Sequence, residues 1–577
     1  MPWSLFNRPS IQLGSLKAFV EEKSQHRVDC FHPFLHIAKA IGIETYRKIS
    51  LDSWAGESLF SSLLFTDQKD NAQQLFFPQT ETQENISPGD FDYLQKTIAH
   101  ACHTWIASID FKQYQLIGFS VCFSQLLSSI YMAKELQKKI GNIPIVFGGS
   151  SCTGGLGTSL RDHFPEIDYV IDGEGEQPLL SLCNSIAKSS KKTIHTLPEE
   201  AEIKDINKLP YPNYSPYFNE IAALFPTEPF IPILPIEFSR GCWWNKCSFC
   251  NLNLQWEKYR SKTADRMLAE TAHFVRKHEC LNFTFTDNAL PIKEADSYFK
   301  AVGDQQIDLD FFAEIRTINK PARLKLYRNG GLSTVQVGIE ALSSSLLQKM
   351  VKGTTTITNV AAMKLCTESG IAIEGNLITE FPETTVEEIN ETLENLDFVL
   401  PYPPMATATF FLGYGSPIYE DHCKFGIDAV STHKNVKNLF PDKYHSTLKQ
   451  LVNDYSGDRE FQKKLWQPVR DKIAAWQEFH NQRANNTSAP LSYRDSGTFI
   501  IIRQELLSGR PLHHRLKGLS RRIYLFCHTP KKIAEILDHF QGLKEEILLS
   551  FVKELCTKKI MFREKNSVLS LALHQKN

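Results

Sequence analysis

Two hydrophobic patterns alternate along this chain. Short continuous apolar runs are followed by longer stretches whose apolar positions fall three and four apart. The first kind predicts buried strands and the second predicts helices packed on one face. Gln115–Val121, Ile143–Phe147 and Tyr169–Ile171 read as buried strands. Between the first two, Leu126 to Ile140 has helical spacing and stops at Gly141, a helix-ending residue. Strand, helix, strand at this spacing predicts right-handed parallel crossovers and a doubly wound α/β sheet over the first ~190 residues. Ligands of such sheets bind at the carboxyl ends of the strands. Ser120, Gly148, Gly149 and Gly173 fall there, and a glycine at such a place lets a ligand approach the backbone closely.

A second alternation runs from Ile236 to Leu412. Its candidate strands are a first one at Ile236–Phe238, then Leu281–Thr286, Phe311–Arg316, Thr334–Gly338, Ala372–Ile378 and Ala406–Phe411, with helices between them such as Thr385–Phe398. This pattern predicts a partial parallel (β/α)6 barrel, whose chemistry sits at the strand carboxyl ends. Between the two units, residues 196–232 are irregular and punctuated by Pro210, Pro212, Pro216, Pro226, Pro229 and Pro232, which predicts a wrapping linker. After the barrel the C-terminal region reads as mainly helical. Residues 431–519 form a helical or irregular extension. Residues 520–577 read helix, helix, helix, hairpin, with helices at Lys531–Leu537 and Leu543–Glu554. The hairpin strands lie at Ile560–Phe562 and Ser567–Leu571, around Lys565 and Asn566. That is a winged-helix-like outline. The expected division is 1–195, 196–232, 233–430, 431–519 and 520–577.

Composition narrows the class. A chain of 577 residues exceeds one core and predicts two to four domains. Apolar content of 42% and charged content of 22% suit a soluble globular protein. A net charge of −1 gives no electrostatic case for nucleic acid or an anionic membrane surface. No apolar run approaches the ~20 residues that cross a bilayer. The first residues, Met1 to Phe6, lack the features of a secretion signal. Thirteen scattered cysteines suggest free thiols in a reducing compartment, and the protein is expected in the cytoplasm.

The most telling local chemistry is Arg240-Gly241-Cys242-Trp243-Trp244-Asn245-Lys246-Cys247-Ser248-Phe249-Cys250. Three thiolates on one loop can hold three irons of a [4Fe–4S] cluster, and with no fourth local cysteine one iron keeps an open position for a chelating ligand. On spacing alone, zinc or unpaired thiols remain open as alternatives. Structural zinc, however, is closed by four ligands, and the next candidates here are His273 and Cys280. The loop follows the first barrel strand, at the end where active sites form.

With Phe249 before its last cysteine, this loop resembles the cluster loop of radical S-adenosylmethionine (SAM) enzymes. The family spacing is C-x3-C-x2-C, and here the first gap holds four residues. The resemblance implies Cys242, Cys247 and Cys250 as cluster ligands. Thr286-Asp287-Asn288 ends the second barrel strand, where the superfamily holds the methionyl amine of SAM. Val337-Gly338-Ile339-Glu340 resembles the fourth-strand motif, whose acid approaches the SAM ribose. Asn376–Glu383 aligns with the fifth-strand G-x-I-x-G-x-x-E motif, with Asn376 and Glu380 in place of its glycines and Ile378 within it. Arg316, at a strand end, could meet the SAM carboxylate or form a surface ion pair.

The N-terminal half resembles the cobalamin-binding domain of one radical SAM class. It does so through Gly118-Phe119-Ser120, Gln125, Gly148-Gly149-Ser150 and Asp172-Gly173-Glu174-Gly175-Glu176. The implied cobalamin contacts are Ser120, Gln125, Gly148, Gly149, Ser150, Gly173 and Glu174. The D-x-H-x-x-G signature is absent; Asp29 and His32 lie near the expected end of a first strand at a different spacing, so no histidine is expected beneath cobalt.

Arg240–Trp244, Tyr259-Arg260-Ser261-Lys262 and Leu412–Tyr419 together resemble the cobalamin-dependent radical SAM C-methyltransferases that mature ribosomally made peptides. The implied cofactors are a [4Fe–4S] cluster, SAM and cobalamin. The implied partners are a peptide precursor and a low-potential donor such as a flavodoxin or ferredoxin, with neither nucleic acid nor membrane. A small-metabolite substrate, a rearrangement without methyl transfer, and a non-catalytic cobalamin sensor are the competing readings. Trp243, Trp244 and Tyr414 are candidates to line the cavity, against a plain role as packing anchors. Cys122 and Cys423 are expected to be inert packed thiols.

Overall fold

A first buried strand is missing from the N-terminal region of the structure, a computed structural model that describes residues 1–76, 88–141, 143–188, 202–227, 230–486 and 488–575. Up to residue 113 the described residues form helices and no strand. Asp29 and His32 precede the helix Pro33–Ile41 rather than end a strand. In the segment that follows them Phe34, Leu35, Ile37 and Ala38 are buried and His36 is half-buried. Pro33 at the first turn pre-sets the helical φ, and the buried positions of this segment fall on one helical face. His32 is itself buried, with Nδ1 2.9 Å from Glu220.

The parallel sheet that follows has three strands: β1 (Ile117–Ser120), β2 (Ile145–Gly148) and β3 (Tyr169–Val170). Their order is β1-β2-β3, so the strand reversal of a doubly wound sheet is absent among the described residues. The helix Leu126–Ile140 joins β1 to β2 and packs against the helix Ala55–Leu64, whose segment supplies helical rather than sheet cover.

The expected linker contains a helix, Ser215–Leu224, started by Pro216; Pro229 lies outside the described residues. Tyr217 Oη donates to the Phe6 carbonyl at 2.7 Å, and Tyr214 Oη donates to the Pro235 carbonyl at 2.5 Å. The two tyrosines sit in separate hydrophobic cores, one N-terminal and one in the barrel. The linker is therefore a packed joint.

The barrel begins at β4 (Leu234–Ile236), followed by a small antiparallel pair, β5 (Ser239–Arg240) and β6 (Arg260–Ser261). Then come β7 (Asn282–Phe285), β8 (Asp310–Ile315), β9 (Leu332–Val337) and β10 (Ala372–Glu374), parallel in the order β4-β7-β8-β9-β10. The expected fifth strand is broken at Gly375. Its second half, β11 (Asn376–Thr379), pairs instead with β12 (Ala406–Thr409), and a single bridge from Glu340 to Leu377 closes the gap. A Cβ at position 375 would lie 2.8 Å from the Met405 sulfur and 2.9 Å from the Val337 carbonyl oxygen, so the break needs glycine.

Beyond the barrel, β13 (Leu412–Gly413), β14 (Ile427–Thr432) and β15 (Val452–Gly457) form an antiparallel sheet. The extension 431–519, expected to be helical or irregular, also carries a meander of β16 (Leu491–Asp495), β17 (Phe499–Gln504) and β18 (Leu512–Lys517). Phe499-Ile500-Ile501-Ile502 hid its alternation: Ile500 and Ile502 are fully buried while Ile501 is half-buried. The end of the chain folds as helix Gly518–Phe526, β19 (Lys531–Lys532), helices Ile533–His539 and Glu545–Thr557, then the hairpin β20 (Met561–Glu564) and β21 (Ser567–Ser570). The three strands are antiparallel in the order β19-β21-β20, and β22 (Leu573–His574) joins β16. Among the described residues no helix is long and apolar enough to cross a membrane.

Candidate active site

The cysteine loop starts where β5 ends, at the carboxyl side of the barrel. Gly241 turns the chain with a φ of 80°, and Cys242 follows. Arg240, just before the turn, is 5% exposed and surrounded by carboxylates: Glu176 at 2.7 Å, Glu237 at 2.9 Å and Glu174 at 3.1 Å. Arg260 on β6 reaches Glu174 at 2.5 Å and Glu202 at 3.3 Å. Burial opposes charge here, yet Arg240 and Lys262 hold the Glu237 carboxyl below its ordinary range. Glu174 and Glu176 follow β3, so this network ties the edge of the N-terminal sheet to the base of the cysteine loop.

The rest of the loop is pinned from two sides. Ser248 N–H donates to the Met350 carbonyl at 3.0 Å, and the Ser248 carbonyl accepts from Ile418 N–H at 2.9 Å. Burial raises the Cys247 thiol, while Lys352 and Arg316 oppose the rise. Burial pushes Cys250 up to about 11, and the other two cysteines add to the effect, so the three thiols lie within electrostatic reach of one another. Among the described residues no three His, Cys, Asp or Glu side chains already converge as a metal site. The donor chemistry nevertheless suits iron–sulfur: three soft sulfur ligands on one pinned loop with no fourth cysteine beside them.

The long first gap has a packing explanation. Trp244 Nε1 donates to the Val351 carbonyl at 2.9 Å, and its ring lies 4.6 Å from the Arg316 guanidinium. A Cβ on Gly353 would come within 2.1 Å of that ring. Asn245 takes a φ of 44°, which lets the extra residue turn Trp244 onto residues 351–353. Trp243 stays 39% exposed and helps line a cavity of about 200 Å³ with Trp244, Leu290, Arg316 and Tyr327.

The residues expected at SAM divide into two groups. Glu340, with a φ of 61°, accepts from Lys352 Nζ at 2.8 Å, and its carbonyl accepts from the N–H of buried Ile378 at 2.8 Å. Arg316 donates to the Lys352 carbonyl. These residues stand beside the cysteine loop through Lys352, whose Nζ lies 5.8 Å from the Phe249 ring. Thr286, Asp287 and Asn288 end β7. Thr286 is exposed, Asn288 has a buried Nδ2 without a partner among the described residues, and Asp287 is buried. The Asp287 carboxylate accepts from Phe238 N–H at 3.0 Å and from the Ser239 hydroxyl, so it is directed at the β4–β5 turn. Burial pushes its pKa up to about 7.

The residues expected at cobalamin gather at the edge of the N-terminal sheet, with one diverted. Ser120 and Gly148 are register partners at the ends of β1 and β2. Gly149 has a φ of 102°, and a Cβ there would lie 2.7 Å from the Val121 carbonyl oxygen; Ser150 follows it. Gln125 Nε2 donates to the Met1 carbonyl at 3.1 Å. Gly173, with a φ of 72°, approaches the Gln255 carbonyl just past the cysteine loop. Glu174 is the diverted residue, its carboxylate committed to Arg240, Arg260 and Ile203 N–H. Tyr414 reaches Gly155 in the N-terminal half, and Cys423, expected to be packed, is exposed.

Two residues of this site carry no motif. Lys352 contacts Glu340 and faces the cysteines. Glu314 on β8 has a pKa pushed up to about 7, chiefly by burial and further by Glu340. Only the folded barrel brings either to the loop.

Residues 236–396 match the model of the radical SAM superfamily, and this segment belongs to it; the chain carries a radical SAM enzyme domain. It is 27% identical over 303 residues to an uncharacterized methyltransferase of Pyrococcus horikoshii, covering 48% of this chain and 63% of that protein. It is 23% identical over 318 residues to an anaerobic magnesium-protoporphyrin IX monomethyl ester cyclase of Synechocystis, covering 50% of this chain and 60% of that one. The chain thus spans less than two thirds of either relative. Among solved structures it is similar to the radical SAM methyltransferase TsrM from Kitasatospora setae, with cobalamin and a [4Fe-4S] cluster bound. There the TM-score is 0.49 at 14% identity, covering 65% of this chain and 82% of that one.

Proposed function

We propose that this protein is a cobalamin-dependent radical SAM C-methyltransferase acting on an unactivated carbon of a ribosomally made peptide precursor. One observation carries the reading. A three-cysteine loop with no fourth cysteine beside it opens from the carboxyl side of the five-stranded parallel sheet, and the Arg240 network locks it to a glycine-edged sheet. When bound, a site-open cluster with SAM supplies a radical initiator, and cobalamin supplies a transferable methyl group.

The chain's own residues orient and shelter that chemistry. Cys242, Cys247 and Cys250 are the cluster ligands. Glu340, Lys352 and Arg316 surround the loop with one carboxylate and two cations, a setting suited to the charged ends of SAM; Asn288 offers an amide without a partner, and Thr286 and Ile378 complete the strand-end wall. Asp287 contributes by holding the β4–β5 turn. Ser120, Gln125, Gly148, Gly149, Ser150 and Gly173 form a backbone-rich edge for cobalamin, and Glu174 fixes its distance from the loop. Holding the reacting groups in one geometry is the protein's main contribution to such a reaction. The peptide substrate is supported by the sequence resemblance and the small C-terminal unit. A low-potential flavodoxin or ferredoxin in the cytoplasm would supply the electron.

A second reading has an observation behind it. The Synechocystis relative is named as a cyclase, so a cobalamin radical SAM reaction on a small metabolite, without methyl transfer, competes. Reconstituted protein, reduced with SAM carrying a deuterated methyl group and the short peptide encoded nearest its gene, separates the two by mass spectrometry. A labelled methyl on the peptide is expected. SAM cleavage with no label on the peptide sinks the methyltransferase reading, and absence of both iron and cleavage sinks both readings.

A further inference from the structure

The end of β11 carries a backbone conformation uncommon for its residue. Where the fifth-strand motif has its second glycine this chain has Glu380, and Glu380 takes a φ of 60°. Glycine enters that left-handed region freely, whereas a residue with a Cβ resists it. Glu279 and Gln306 share the conformation, but they end helices, where it is ordinary. Glu380 lies at a strand end, two residues after Ile378. Away from helix ends such a conformation persists only where surrounding contacts impose it.

Those contacts come from the C-terminal extension. Arg470, on the helix Gln467–Asn481, donates from Nη1 to Glu380 Oε1 at 2.7 Å. The same guanidinium is fixed by the Lys463 carbonyl at 2.5 Å and by Gln467 Oε1 at 2.9 Å. The next residues are held from the same side. The Asp458 carboxylate accepts from Glu383 N–H at 2.8 Å, and buried Gln462 donates to the Thr384 carbonyl at 3.0 Å. From the other side Lys349 Nζ donates to the Glu383 carbonyl at 2.6 Å, and the Lys349 carbonyl accepts from the Ser248 hydroxyl of the cysteine loop at 3.2 Å. The turn after β11 is thus clasped between the extension and the cysteine loop. Just before it, Thr379 is fully buried with a hydroxyl that has no partner among the described residues. A group of that kind is satisfied by a ligand or by water.

We infer that Arg470 is a positioning residue for SAM. Through Glu380 it keeps the end of β11 in its left-handed turn, so the extension sets how tightly SAM is held. The glutamate achieves with an ion pair what glycine achieves with backbone freedom. The consequence is specific: the clasp is needed because residue 380 has a Cβ, and a glycine there makes Arg470 dispensable for SAM. A contact that only stabilised the fold would leave SAM affinity untouched. The inference rests on the placement of SAM at the barrel mouth given above.

The test measures SAM binding by equilibrium dialysis on the reconstituted full chain, together with the change SAM makes in the EPR spectrum of the reduced cluster. Arg470→Ala should weaken SAM binding by about tenfold and shrink that spectral change. Adding Glu380→Gly should return the affinity to within about threefold of the starting protein. Adding Glu380→Ala instead, which also removes the carboxylate but keeps a Cβ, should return nothing. Arg470→Lys, which keeps the charge without the fork, should weaken binding by about threefold. Should Arg470→Ala fail to fold or to take up iron, Arg470→Lys with and without Glu380→Gly gives the same comparison. Unchanged SAM affinity in the folded Arg470 variant overturns the inference and leaves the methyltransferase reading standing. Equal rescue by glycine and alanine at 380 overturns it too, since the stranded carboxylate and not the backbone is then the cause. Rescue by glycine alone, in a protein that cleaves SAM without labelling the peptide, upholds the clasp and defeats the methyltransferase reading.

Discussion

Two buried cations join this molecule's parts, and they do so in opposite ways. Arg240, between the N-terminal sheet and the barrel, sits among three carboxylates. Lys364, between the barrel and the C-terminal unit, donates to the carbonyls of His528 and Ser570, each at 2.8 Å, and lies 3.1 Å from His528 Nδ1. The first joint is an ion cluster, so removing its centre strands like charges in a dry place. The second is a set of hydrogen bonds to neutral carbonyls. Burial lowers the Lys364 pKa to about 7, with Glu368 opposing. The joint carrying the cysteine loop is thus rigid but intolerant, and the joint carrying the C-terminal unit is the milder one.

Arg240→Leu should have the largest effect. Breaking a buried ion cluster typically costs about 3–5 kcal/mol because the partners left behind stay charged and buried. Denaturant unfolding should show that loss, and reductive SAM cleavage should fall with it because the cysteine loop loses its anchor. A loss below about 1 kcal/mol would break the contrast, since exposed pairs behave that way. Lys364→Met should cost less, about 1–2 kcal/mol, because losing the donor to two carbonyls is partly offset by removing a buried charge. Hydrogen exchange should localise its effect to residues 518–575. An effect equal to that of Arg240→Leu would erase the distinction between the joints.

A third buried ionisable group sharpens the comparison by having no cation partner among the described residues. Glu57 is 6% exposed, accepts from Leu127 N–H at 2.9 Å, and is pushed up to about 7 by burial. Its folded pKa exceeds its unfolded one of 4.5, so its contribution is fully present below about pH 4.5 and is lost as pH rises to about 7. Glu57→Gln should leave stability at pH 4.5 nearly unchanged and raise it at pH 8 by roughly 1–3 kcal/mol. Melting curves at the two pH values check the sign; equal shifts at both would mean that Glu57 does not titrate in this window.

The parts of the fold readable beforehand were those with local causes. The helix Leu126–Ile140 runs as its periodicity and Gly141 demand, and the barrel strands fall within a few residues of their apolar runs. The missed meander has a local cause too. Phe499–Ile502 is a continuous apolar run, which by itself settles neither helix against strand nor which face is buried. In the site, Cys242, Cys247 and Cys250 announce themselves because three donors lie on one short loop. Lys352, Glu314 and the commitment of Glu174 to Arg240 depend on partners 12 to 66 residues away, which no spacing rule connects.

The helix Ser215–Leu224 has a geometric consequence. Tyr214 at its start holds the beginning of β4, and Tyr217 holds Phe6 near the start of the chain. Each residue of an α-helix advances the direction of its side chains by ~100°. The angular phase between these two hydroxyls is thus set by the three steps from 214 to 217. Inserting a single residue between them would turn one tyrosine out of its core, and the orientation of the glycine edge toward the cysteine loop would lose its reference.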